Sequence, residues 1–382
     1  MTQIKRRVHL AFIIGSFLLS LLLITACSPQ GTEAPGLKQA YQEDFQIGVA
    51  MNSFQILGKD SLSAPIIEKH FNAITGENCT KWERIHPEPG TYSFKLADRL
   101  VEYGMENQMH ITGHVLVWHS QTPRWVFLDA EGNLTIRDTL LMRMRDHIHT
   151  VVGRYKGKVD CWDVVNEAID DDGKFRESLW YKIIGEDYVE KAFTYAHEAD
   201  PEAQLIYNDY SMHNPARRDG VVKMVKELQS KGIKIDGIGM QGHYHLGDPT
   251  IEEIEASMNA FAELGVKIMV TELDVTVLPV PEDYNGADVG KQFEKKEWLN
   301  PYTEGLPDSV QNVLTRYYED LFTLFRNQSE HIDRVTFWGV HDGISWKNNW
   351  PVPGRTNHPL LFDREGLPKP AYDAVISVAS VH

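Results

Sequence analysis

The sequence predicts an α/β fold, a single-domain (β/α)8 barrel. Two observations point to it. Eight short apolar runs recur along the chain, beginning near Phe45, Ala73, His110, Val159, Gln204, Asp236, Val266 and Arg334. Between them lie longer segments whose apolar residues fall three and four apart. Such regular alternation over residues 41–382 suits a closed barrel of the TIM type. An open doubly wound sheet would need a glycine-rich phosphate turn after the first strand, and none is present.

Each element has a local reason. The runs FQIGVAM, HITGHVLVW, VDCWDVV, QLIYN, DGIGMQG, VKIMVTELDV and RVTFWGV have the apolar character of buried parallel strands. After the third strand, Leu141, Met144, Ile148 and Val151 mark a helical stripe. After the fifth, Val221, Met224 or Val225, and Leu228 mark another, with Gly232 as its stop. Asp248-Pro249-Thr250 opens a helix carrying Ile254, Met258 and Phe261. Val313, Tyr317, Leu321, Leu324 and Phe325 define the one before the eighth strand. The connection from Pro279 to Asp308 is long for a barrel loop, and such length is usually functional or decorative.

Residues 1–26 read as an export signal. Lys5, Arg6 and Arg7 precede an apolar run from Val8 to Ile24, which ends in Ile24-Thr25-Ala26-Cys27. That ending resembles the lipobox of bacterial lipoproteins, in which Cys27 becomes the lipidated first residue. An ordinary signal with an incidental cysteine is the alternative; a single-pass anchor would need a longer run. The expected place is therefore a bacterial membrane surface, reached through a lipid anchor, or otherwise secretion. Residues 27–40, with their Pro and Gly, read as a flexible tether.

Cleavage there would remove three positive charges and no acids, moving the formal charge from −16 to −19. So acidic a protein has no long-range attraction for nucleic acid. A neutral polymer is compatible with it. Cys79 and Cys161 remain, either as a disulfide or as two buried thiols, and no Cys/His metal spacing appears.

In such a barrel the chemistry sits beyond the C-terminal ends of the strands. The sequence places Glu77, Asn78, Lys81 and Trp82 after the second, and His114, Trp118, His119 and Gln121 at the third. Asn166 and Glu167 end the fourth, Asn208 and Asp209 the fifth, Gln241 and His243 the sixth. Glu272 and Asp274 end the seventh; Trp338 ends the eighth, with Trp346 just beyond. Glycoside hydrolysis needs two carboxyls flanking one bond, and Glu167 and Glu272 are the pair such a barrel brings together. Glu167, beside Asn166 and aromatic groups, takes the acid/base role; Glu272 should be ionised, oriented by His243, which Asp274 could hold in turn. Trp82, Trp118, Trp125, Trp338, Trp346 and Trp350 supply flat faces for pyranose rings, although Trp125, like Trp162, is expected to cap the barrel core.

Seven motifs in chain order carry a family resemblance: GENCTKWERIHPEPGTYSF, HVLVWHSQTPRW, WDVVNEA, YNDYS, MQGHYH, TELDV and FWGVHDGISW. From about Phe45 to Tyr372 the chain resembles family 10 of the glycoside hydrolases, the endo-β-1,4-xylanases. The resemblance implies retaining hydrolysis of xylan and xylo-oligosaccharides, with Glu272 as nucleophile, Glu167 as acid/base, and no cofactor or metal. It implies sugar contacts for Glu77, Asn78, Lys81, His114, Trp118, Gln121, Asn166, Gln241, Trp338 and Trp346, with His243 bonded to the nucleophile. The segment WKNNWPVPGRTNHPLL does not map residue by residue, which leaves the distal subsites open. A monomer is expected, touching a membrane only through its lipid.

Three other readings compete with this one. A glycan-binding protein that has lost catalysis should lack one of the two acids, and both are present. A metal-dependent hydrolase could use His243-x-His245, but no third ligand is reserved for a metal. A retaining β-1,4-glucanase shares the chemistry and differs in substrate.

Overall fold

Among the described residues nine parallel strands form the sheet, and eight of them close the predicted barrel. The computed structural model describes residues 35–282, 284 and 290–380. In it, β1 (Gln46–Met51) lies between β2 (Ala73–Gly76) and β9 (Ile332–Phe337). From β2 the order runs through β3 (His110–Trp118), β4 (Cys161–Asn166), β5 (Gln204–Asp209) and β6 (Gly237–Met240). β6 pairs with β8 (Lys267–Thr276), which pairs with β9 and completes the circle.

The ninth strand, β7 (His243–His245), was not expected. Gly242, at φ +80°, turns the chain out of β6 in a conformation that favours glycine. The next residues re-pair on the outer half of β8, with His243 opposite Asp274. That step sets His243 beside the acids of the seventh barrel strand.

The helices follow the apolar stripes. Arg137–Arg154 buries Leu140, Met144, Ile148 and Val151. Pro215–Ser230 buries Val221, Met224, Val225 and Leu228. Ile251–Ala262 starts at Thr250, whose hydroxyl accepts from the Glu253 N–H while the Glu253 carboxylate accepts from the Thr250 N–H. In Asp308–Asn327 the core stripe is Leu314, Tyr317, Tyr318, Leu321, Phe322, Leu324 and Phe325. Val313, counted in that stripe from the sequence, is half exposed, because Leu314, one position on, faces the core.

Residues 1–34, with the export signal and Cys27, lie outside the described residues. The tether expected over 27–40 cannot extend so far. Leu37–Ala40 form a helical turn, Leu37 and Tyr41 are fully buried, and the Tyr41 hydroxyl donates to Val375 O at 2.6 Å. Cys79 and Cys161 are both buried and both free.

Candidate active site

Glu167 directly follows β4, and Glu272 lies midway along β8, just past its barrel pairing with β6; both line one 530 Å3 cleft. Glu167 has a left-handed backbone, φ +58°, which costs a non-glycine residue on the order of 1 kcal/mol. Its N–H is held by Asn208 O at 2.9 Å. Its Oε2 accepts from Trp118 Nε1 at 2.9 Å, and Oε1 from Gln241 Nε2 at 3.0 Å and Asn166 Nδ2 at 3.2 Å. The carboxyl is thus held by neutral donors, although the His119 ring lies 3.8 Å from Oε2.

Glu272 is held differently. Oε1 accepts from Asn208 Nδ2 at 2.8 Å and Oε2 is bonded to His243 Nε2 at 3.2 Å. The other ring nitrogen of His243 faces Asp274 Oδ1 at 3.1 Å. Burial pushes the Glu272 carboxyl up, but His243, His114 and the Asn208 amide outweigh it and hold the group below the usual glutamate range. His243 is held above its usual value: burial opposes the charge, while Asp274 and Glu272 favour it more strongly.

A single amide network joins the two acids. Asn208 Nδ2 also donates to Asn166 Oδ1 at 3.1 Å, and Gln241 Nε2 reaches Asn166 Oδ1 at 3.2 Å as well as Glu167. Thr271 Oγ1 donates to Asn208 Oδ1 at 2.6 Å and fixes which way that amide points. Gly239 makes room for it, since a Cβ there would lie 2.4 Å from Asn208 Oδ1.

The remaining polar wall comes from β2 and β3. Lys81 Nζ donates to Gln121 Oε1 at 2.8 Å and Asn78 Oδ1 at 3.1 Å, and stands 5.0 Å from the centre of the Trp118 ring. Burial lowers the proton affinity of this ammonium, against Glu272, Glu77 and Glu167, which raise it. Burial also raises the Glu77 carboxyl, against Lys81 and Asn78. His114 Nδ1 is 2.6 Å from Asp163 Oδ2, and the ring meets Trp338 edge-on. These groups leave donors and acceptors facing a space walled by Trp338 and Trp346, as a hydroxyl-rich ligand requires.

All thirteen cleft residues expected from the sequence line this space: Glu167, Glu272, Glu77, Asn78, Lys81, His114, Trp118, Gln121, Asn166, Gln241, His243, Trp338 and Trp346. Trp350 lines it too and stacks on Trp346 at 4.8 Å. Trp82 does not. It is buried, stacked at 3.6 Å on His147 in the neighbouring helix, because Lys81 faces the cleft and its neighbour turns to the core. Trp125 is partly buried against the core with its Nε1 on Pro87 O, and Trp162 is wholly internal.

Several cleft residues escaped the sequence reading. Asn208 was placed at a strand end, but nothing in YNDYS alone says that its amide would bridge two carboxyls. Asn52, Ser53 and Phe54, after β1, and Gln292, from the long connection, carry no motif at all. That connection packs over the loop after β9: Phe293 N donates to Pro351 O, and Thr356 N to Asn300 Oδ1. So it belongs to the active face.

Among known proteins, residues 36–378 match the model of glycosyl hydrolase family 10. The chain is 46% identical to endo-1,4-beta-xylanase A of Xylanibacter ruminicola over 365 residues, covering 96% of this chain and 99% of that one. It is 42% identical to an endo-1,4-beta-xylanase of Geobacillus stearothermophilus, covering 90% and 98% of the two chains. A solved structure, a GH10 endoxylanase retrieved from a sugarcane soil metagenome, superposes with a TM-score of 0.85 at 45% identity, covering 90% of this chain and 99% of that chain.

Proposed function

The chain belongs to glycosyl hydrolase family 10, and on that premise we propose that it is an endo-β-1,4-xylanase acting by retention through Glu272 and Glu167. One observation carries the reading: two buried glutamates share a cleft, one fixed by an imidazole in contact with a second carboxylate, the other by an indole and two amides. The first arrangement favours an anion poised to attack carbon. The second can hold a neutral carboxyl that gives up a proton and later takes one back.

The reaction then has two balanced steps. Glu272 forms a bond to the anomeric carbon while the bond to the leaving oxygen breaks, and Glu167 protonates that oxygen. A water, losing its proton to Glu167, then attacks the same carbon and releases Glu272. Charge develops on the ring in both transition states, and Asn166 is placed for the 2-hydroxyl, a contact that tightens as it does. Xylose has no hydroxymethyl group on its ring, and Trp338 and Trp346, which wall the cleft, are the groups we propose to exclude one. Such exclusion is leaky, so slow action on aryl cellobiosides is expected.

Parallel assays on xylan and carboxymethylcellulose test the substrate class, and NMR of the first-formed anomer tests retention. Preference for the cellulose derivative, or an α product, would overturn the respective half of the reading. We further propose attachment to a bacterial membrane through lipidated Cys27, supported by Ile24-Thr25-Ala26-Cys27. Cys27→Ser should then leave the membrane fraction; a membrane-bound variant would reject the anchor.

A further inference from the structure

We propose that Lys347 is a positioning residue for the nucleophilic carboxylate, a buried ammonium that sets the charge of the Asp274–His243 pair behind Glu272 and braces Trp346 against it. The inference rests on Glu272 being the nucleophile.

The placement is specific. Lys347 sits in the turn Trp346–Asn348, where its N–H donates to Ser345 Oγ at 3.2 Å, and its side chain is 6% exposed. Its Nζ lies 3.7 Å from Asp274 Oδ1, 4.4 Å from the centre of the Trp346 ring and 5.2 Å from that of Trp350. The two indoles stack at 10° to each other, and Trp346 Nε1 donates to Asp274 Oδ2 at 2.7 Å. A cation over two aromatic faces and beside a carboxylate has partners for its charge without water.

Asp274 explains why the cation matters. It is wholly buried. Its Oδ2 takes the indole, while Oδ1 has no aligned hydrogen bond among the described residues and faces His243 Nδ1 and Lys347 Nζ. Two cationic groups therefore share one oxygen. Asp274 favours a protonated His243 and Lys347 restrains it. With both protonated, the charges of Glu272, His243, Asp274 and Lys347 cancel. Without Lys347 the charge behind Glu272 falls from +1 to zero, which favours the neutral form of that carboxyl.

No neighbour replaces it. Arg355, from the same loop, donates to Pro279 O and Trp350 O, and no ion pair joins it to Asp274 among the described residues. His245 on β7 is held below its usual value by burial and by Lys347 itself. Among the described residues, Tyr284, from the connection after β8, and Tyr318, on the helix Asp308–Asn327, also interact with Asp274; burial raises both. From across the cleft Lys81 and His114 act on Glu272, and Glu167 shares that wall.

The test uses Lys347→Met, which keeps an unbranched stem beside the indoles, and Lys347→Arg, which keeps the charge. Two readouts are followed: the acid limb of kcat/KM on an aryl xylobioside, and the titration of the His243 ring by nitrogen NMR in the unliganded protein. In the methionine variant both should move to higher pH, the limb by about half a unit or more, while the arginine variant stays near the parent. Unmoved titrations with a lower kcat would reduce Lys347 to packing and overturn the proposal, as would equal shifts in both variants. If the methionine variant does not fold, Lys347→Gln carries the same comparison. The NMR readout needs no turnover, so its failure is distinct from a failure of the hydrolase reading.

Discussion

At the scale of single residues, the division of labour proposed for the two glutamates follows from their neighbours. Glu272 is bonded to His243 and Asn208; Glu167 to Trp118, Gln241 and Asn166. On the proposed mechanism Glu272→Ala removes the atom that bonds to carbon, and turnover should fall by about 10⁴ or more on every substrate. Glu167→Ala removes only the proton, so its loss should depend on the leaving group. Hydrolysis of xylan should drop far more than that of an aryl glycoside whose phenolate departs unaided. Equal losses on the two substrates would remove Glu167 from the acid role. Both residues were legible because each ends a recognisable strand motif, VNEA and TELD. Asn208 was not, because a bridging amide is a property of three strands meeting, and no one of them encodes it.

At the scale of elements, pattern predicted strands and helices better than it predicted which way a given side chain turns. The run DGIGMQG marked β6, yet the chain continues past Gly242 into β7, which exists only because β8 is long enough to offer a second half to pair with. Trp82 follows the second strand as Lys81 does, but it turns inward onto His147, a contact that lies in another element. The close passage of β6 past β5 gives a test. Gly239 faces Asn208 Oδ1, and a methyl group there would also lie 2.8 Å from Thr271 Cγ2. Gly239→Ala should displace the amide that holds Glu272 and cost about 1–3 kcal/mol of stability through overpacking. Denaturant unfolding and kcat measured on the same sample should fall together. Full activity in a destabilised variant would mean that Asn208 can shift without moving Glu272.

At the scale of the whole molecule, the barrel separates its working end from its seal. The cleft stands beyond the C-terminal ends of the strands. The chain leading into β1 is instead bound to the C-terminal helix Pro370–Ser380, where the Tyr41 hydroxyl meets Val375 O. From the sequence that seal looked like the end of a tether, because a Pro/Gly-rich approach has the same pattern whether or not a distant helix covers the residues beyond it. Its removal should therefore be felt as stability and not as catalysis. Tyr41→Phe leaves the ring in place and takes from the buried Val375 carbonyl a donor additional to its helical one, a loss of about 0.5–1.5 kcal/mol. For a domain of this length that lowers Tm by about 1–2 °C. Calorimetry should show the drop while kcat and KM on xylan at moderate temperature stay at parental values. A fall in kcat without a fall in Tm would mean that strain at the seal travels along β1 to the loop bearing Asn52, and that the two ends of the barrel are coupled.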